Sequence, residues 1–164
     1  MLFLDHFFEI FIFKRYLVNE HMREKMKKAL IVVQSQNTAN QKYGEEIAKF
    51  LLYRGLAAEL IPINNFDPKK LKEADYLFLS GWKNGSLLSA AHPDSEWENF
   101  VNKLPTLDGI KTALFTTYKL FSGGIVKAMK KYLGRKTDNL EFAFTSRDGS
   151  LTISDKMTLN DFIG

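Results

Sequence analysis

The sequence predicts an α/β protein built on a five-stranded parallel sheet with helices on both faces. Two observations carry this. From Met26 onward, short apolar β-type runs alternate with stretches of helical periodicity, the pattern of repeated strand–helix–strand units. The first run, Leu30 to Val33, is continuously apolar, as in a strand buried on both faces. Right-handed crossovers leave few topologies for such a chain. Ligands in such sheets sit beyond the carboxyl ends of the strands, where strand order reverses.

Each element has its own signal. After the first strand, Tyr43, Ile47, Phe50 and Leu51 recur at helical spacing, and Gly55 stands where a C-terminal stop belongs. Leu56 to Ile63 reads as the second strand, with Pro62, Asn64 and Asn65 ending it, and Asp67-Pro68 starts a short helical turn through Leu71. Tyr76 to Leu79 is the third strand. It runs into a loop of turn residues, Ser80-Gly81-Trp82-Lys83-Asn84-Gly85. Ser95 and Glu98 form a capping-box pattern before a helix with Trp97, Phe100, Val101 and Leu104 on one face. Thr112 to Thr116 is the fourth strand. Ser122-Gly123-Gly124 then leads into a helix with Ile125, Met129, Tyr132 and Leu133 inward and Lys127, Lys130 and Lys131 outward. Leu140 to Thr145 gives the fifth strand, and Ser154 to Ile163 a short final helix.

Composition narrows the chemistry. Hydrophobic residues make up 45% of the 164 and charged residues 26%, which fits one globular domain. With no cysteine, disulfides, thiol nucleophiles and Cys-based metal sites are excluded. The three histidines are scattered, and no pair has metal-ligand spacing. The net charge of +4 suits an acidic partner or an anionic ligand but is too small to argue for nucleic acid.

Residues 1–25 differ from the rest and are set apart as an N-terminal extension to a domain spanning 26–164. Leu2, Phe3, Leu4, Phe7, Phe8, Ile10, Phe11, Ile12 and Phe13 crowd together, yet the longest unbroken apolar run is far below the roughly 18 residues of a membrane span. Stable membrane insertion is therefore not expected. Lys14 and Arg15 follow the apolar part, where a secretory signal would carry its charge first. Three readings stay open: a translation artefact with Met26 or Met22 as the true start, an added amphipathic helix, or a weak membrane-surface anchor. The first is favoured because M-K-K-A-L-I-V-V is a natural opening for a first strand.

The loops after strands one, three and four carry the candidate site. Between the first strand and its helix stand Ser35, Gln36, Asn37, Thr38, Ala39 and Asn40, five of the six polar. Hydroxyls, amides and free backbone N–H groups there surround a helix N-terminus, where an anion is favoured. An N-cap role for Thr38 or Asn40 accounts for one such residue. Phosphate binding accounts for the run. Trp82, among glycines, Lys83 and Asn84, is either an exposed binding aromatic or a side chain folded over a core edge. In the third loop, Thr116-Thr117-Tyr118 leads toward Phe121, which reads as packing under the following helix.

With these residues the chain resembles a short-chain flavodoxin, or an uncharacterised flavodoxin-like protein, from about Met26 onward. Ser35, Asn37, Thr38 and Asn40 take the Ser/Thr, Thr, Gly and final Thr places of S/T-x-T-G-x-T, and Ile47-Ala48 follows at the family's distance. The resemblance implies a three-layer sandwich with strand order 2-1-3-4-5, and it implies FMN as cofactor. The phosphate would lie on residues 35–40. The ring would lie between the third-strand loop (Gly81, Trp82, Lys83, Asn84, Gly85) and the fourth (Thr116, Thr117, Tyr118). Trp82 would cover the isoalloxazine and Tyr118 would supply a second aromatic. Gly81 and Gly85 would permit the peptide flip by which the family responds to protonation at flavin N5. Thr38 departs from the family's glycine, and its β-carbon narrows the backbone approach.

The implied function is that of a cytoplasmic FMN electron carrier with no catalytic residue of its own, docking an acidic redox partner protein. Two rivals stand beside it: a small FMN-dependent NAD(P)H or quinone reductase, and a flavodoxin-like binding module without cofactor.

Overall fold

Apolar runs of five to seven residues become the strands of one sheet in the computed structural model, which describes residues 26–34, 38–81, 95–118, 123–134 and 136–164. The strands are β1 (Lys28–Val33), β2 (Ala57–Pro62), β3 (Tyr76–Ser80), β4 (Lys111–Thr117) and β5 (Leu140–Ser146). All neighbours pair in parallel, in the order β2-β1-β3-β4-β5. That is the expected order, with β1 and β3 flanking the point where it reverses. The N-terminal extension falls outside the described residues.

Pleating sorts each strand onto two faces. Ala29, Ile31, Val33, Tyr76, Phe78, Ala113, Phe115 and Phe144 face one side, where they meet α1 (Thr38–Tyr53) and α4 (Ile153–Ile163). Leu30, Val32, Leu77, Leu79 and Leu114 face the other, against α2 (Ser95–Lys103) and α3 (Gly123–Leu133). The helices bury the faces that periodicity assigns them. Tyr43, Ile47 and Leu51 on α1, and Ile125, Met129 and Leu133 on α3, are buried, while Lys127, Lys130 and Lys131 are exposed. Between β2 and β3 the chain covers its side with two 3-10 turns, Ile63–Asn65 and Pro68–Glu73, the second capped by the Asp67 side chain.

Three local features refine the sequence reading. Helix α1 lies unusually close to the sheet at Gly44, where a β-carbon would stand 2.6 Å from Val33 Cγ1 and 3.0 Å from Leu60 Cδ1. Only glycine fits that approach. In β5 the register steps between two pairs, Thr112↔Leu140 and Ala113↔Phe142, so Glu141 is an inserted residue. The insertion lets Leu140 pack with the α2/α3 face and Phe142 with the α1/α4 face, though strict alternation would put both on one side. Finally, α2 begins at Ser95 itself, which moves the cap position to residue 94, outside the described residues. A complete capping box forms at α4. Asp155 N donates to Thr152 Oγ1 at 3.1 Å, and Thr152 N donates to Asp155 Oδ2 at 2.9 Å.

Candidate functional site

A strand's last residues lose their ladder partners, and their backbone groups must be satisfied some other way. At the carboxyl end of this sheet side chains do it. Gln34, Asn40, Ser80, Thr116, Thr117 and Ser146 are all buried there, beyond or at the ends of β1, β3, β4 and β5 and in the first turn of α1. Ser80 Oγ lies 3.5 Å from the Gln34 N–H that donates to it, and Gln34 Nε2 donates to Glu96 Oε2 at 3.3 Å. The Gly81 carbonyl accepts from Asn40 Nδ2 at 3.0 Å and from Thr116 Oγ1 at 2.5 Å, while Gly81 N donates to Phe115 O at 3.2 Å. Asn40 Oδ1 accepts from Thr117 N at 2.7 Å and from Thr117 Oγ1 at 2.8 Å. The ends of β3 and β4 and the start of α1 are thus joined in one hydrogen-bonded junction.

The turn after β5 closes against the same helix end. Gly149 has φ +76, and a β-carbon on it would collide with the Ala39 carbonyl, so both backbone and packing demand glycine. Lys42 Nζ donates to Asp148 O and to Ser150 Oγ, each at 3.1 Å. Hydrogen bonds from Ser150, with Lys42 nearby, hold the Asp148 carboxyl below its ordinary value of 3.8. Tyr118, half-buried at the end of β4, donates its N–H to Ser146 O at 3.0 Å and has the Arg147 guanidinium 5.9 Å from its ring centre.

These contacts place the described site residues. Thr38 is the first residue of α1 and exposed, Ala39 is half-buried, and Asn40 is fully buried. Among the described residues no side-chain-bearing position has positive φ, so the backbone at Thr38 does not require glycine. Thr116 and Thr117 are the last two residues of β4, which runs one residue past the expected end at Thr116, and their side chains point into the junction. The Gly81 carbonyl is pinned by two hydrogen bonds, both of which a flip of its following peptide would break. Ser35, Gln36, Asn37, Trp82, Lys83, Asn84 and Gly85 lie outside the described residues. Sequence reasoning missed Gln34, Ser80, Ser146 and Arg147. The available signal was a polar residue at the carboxyl end of an apolar run, visible at Gln34 and Ser80.

Among the described residues no group of three or more His, Asp or Glu could hold a metal, and no helix is long and apolar enough to cross a membrane. No protein-family model matches the chain, and neither does any curated protein. Solved structures do. Two-electron reduced Megasphaera elsdenii flavodoxin superposes with a TM-score of 0.67 at 20% identity, over 84% of this chain and 97% of that one. Oxidised flavodoxin 2 from Bacillus cereus gives 0.60 at 18% identity, over 83% and 94%. A flavodoxin from the domain Archaea gives 0.59 at 14% identity, over 82% and 92%. At these identities the likeness is one of architecture, and the chain has the flavodoxin-like fold.

Proposed function

We propose that this chain binds FMN at the carboxyl ends of β1, β3 and β4 and passes electrons to a redox partner protein. The observation that carries the proposal is the buried polar junction at the switch point of a flavodoxin-like sheet. Six polar side chains are buried at that end, where a packed core would favour apolar ones, and one of them, Asn40, holds the start of α1 beside the ends of β3 and β4.

The residues fit the group. Residues 35–39 and the first turn of α1 would receive the phosphate, since the start of a helix directs backbone N–H groups and the positive end of its dipole toward an anion. Residues 81–85 and Thr116, Thr117 and Tyr118 would border the ring, with Trp82 and Tyr118 as its aromatic flanks. FMN, when bound, supplies the transfer of one or two electrons. The protein's part is to orient the ring, keep water from its faces and set the local charge. Lys83 and Lys119 follow β3 and β4 in sequence and, with Arg147 beside Tyr118, favour negative charge at the site. The same cations suit an acidic docking partner.

The test is the visible spectrum of the purified protein together with its quenching of added FMN fluorescence. A yellow protein, or a colourless one that quenches FMN at micromolar concentration, is expected. A colourless protein that leaves FMN fluorescence unchanged overturns the proposal and leaves a flavodoxin-like binding module. Sustained NAD(P)H oxidation by the flavin-loaded protein alone would instead identify a reductase.

A further inference from the structure

We infer that Asn40 is a positioning residue. Its side chain braces the ends of β3 and β4 against the start of α1, rather than ligating the FMN phosphate. The inference rests on the FMN proposal and gives one of its candidate residues a different task.

Three observations on the side chain support it. It is fully buried, although it sits in the first turn of α1. Its Oδ1 accepts from Thr117 N at 2.7 Å and Thr117 Oγ1 at 2.8 Å, so both lone pairs are engaged. Its Nδ2 donates to Gly81 O at 3.0 Å. The two gripped residues stand immediately before Trp82 and Tyr118 in the chain. One planar amide therefore spans the ends of β3 and β4 from the third layer, tying together backbone that is 41 and 77 residues away.

Ligand and brace make different demands on flavin chemistry. A phosphate ligand matters for FMN and not for riboflavin, which has the same ring without the phosphate. A brace that holds the ends of β3 and β4 beneath the ring matters equally for both. The experiment measures FMN and riboflavin binding by fluorescence quenching for the full chain, Asn40→Ala and Thr117→Val. The valine variant removes the hydroxyl donor to Oδ1 but keeps its shape and N–H. Asn40→Ala is expected to weaken both flavins by the same factor, roughly tenfold, and Thr117→Val to weaken both by a smaller common factor. Weakened FMN binding with unchanged riboflavin binding overturns the inference, as does no change in either.

Amide hydrogen exchange is measured alongside and decides if Asn40→Ala binds no flavin or if riboflavin binds too weakly to read. The Thr117 amide is expected to be protected in the parent chain and to lose protection in Asn40→Ala, with β1 amides unaffected. A Thr117 amide indifferent to Asn40 refutes the brace whatever the flavin result. If the parent chain binds neither flavin, the FMN proposal fails, and the exchange result still judges the brace.

Discussion

Asn40 and Tyr43 lie three residues apart on α1, both fully buried, and they treat their polar atoms in opposite ways. Asn40 meets partners on two strands. The Tyr43 hydroxyl has no hydrogen-bond partner among the described residues, while its ring packs edge-on to Phe115 at 5.9 Å. Burial first, and the Asp155 carboxylate second, push the phenol well above its ordinary value of 10.0. A buried hydroxyl without a partner costs about 1–3 kcal/mol of desolvation, so its removal is cheap. Tyr43→Phe is therefore expected to leave urea stability at pH 7 unchanged or to raise it by about 1 kcal/mol. A loss of more than that would mean that the hydroxyl bonds to Asp155 in solution. Both residues could be identified in the sequence by type and helical position. Where their polar atoms point could not, because a side chain's partners 77 residues away leave no local trace.

The elements themselves were legible because their signals are local. Continuous apolar runs became β1 and β3, helical spacing became α1 and α3, and the stop at Gly55 fell where α1 ends. The inserted residue at Glu141 was not legible, since one extra residue in a short strand resembles imperfect alternation. Thr117 was assigned to the loop after the fourth strand because hydroxyls look like turn residues, while in the fold it closes β4 and, with Thr116, joins the hydrogen bonds at the sheet's end. The capping box at Thr152-x-x-Asp155 escaped notice because its acid is shorter than the glutamate typical of the box. Thr152→Ala removes the acceptor for Asp155 N and should lower stability by about 1 kcal/mol in denaturant titration. Thr152→Ser, which keeps the oxygen, should retain most of it. Equal losses in both variants would show that the methyl group, not the cap, matters.

At the scale of the whole molecule the two ends of the sheet are held by different charges, and that difference sets the pH profile. At the carboxyl end, Asp148 and Lys42 tie the last turn to α1. At the amino end, Lys27 Nζ donates to Tyr76 Oη at 3.0 Å, Tyr76 Oη donates to Ile163 O at 2.7 Å, and Lys111 Nζ donates to Phe162 O at 3.1 Å. Two cations thus sit at the C-terminus of α4, where the helix dipole favours them. The hydrogen bond to Tyr76 raises Lys27 above its ordinary value of 10.5. A raised group contributes stability that is present below its unfolded value and is lost as pH climbs through the folded one, and Tyr43 adds to the same alkaline limb. The lowered Asp148 works in reverse, contributing above about pH 4 and losing its contribution as pH falls below that. Thermal unfolding followed from acid to alkaline pH should therefore show a plateau with two independent limbs. Asp148→Asn should flatten the acid limb alone. Lys27→Met, which keeps the apolar stem, should reduce the alkaline slope alone, with the remainder belonging to Tyr43 and to Tyr132, which its hydrogen bond with Glu98 also raises. A Lys27→Met profile parallel to the parent above pH 10 would show that the lysine holds the end of α4 by packing rather than by charge.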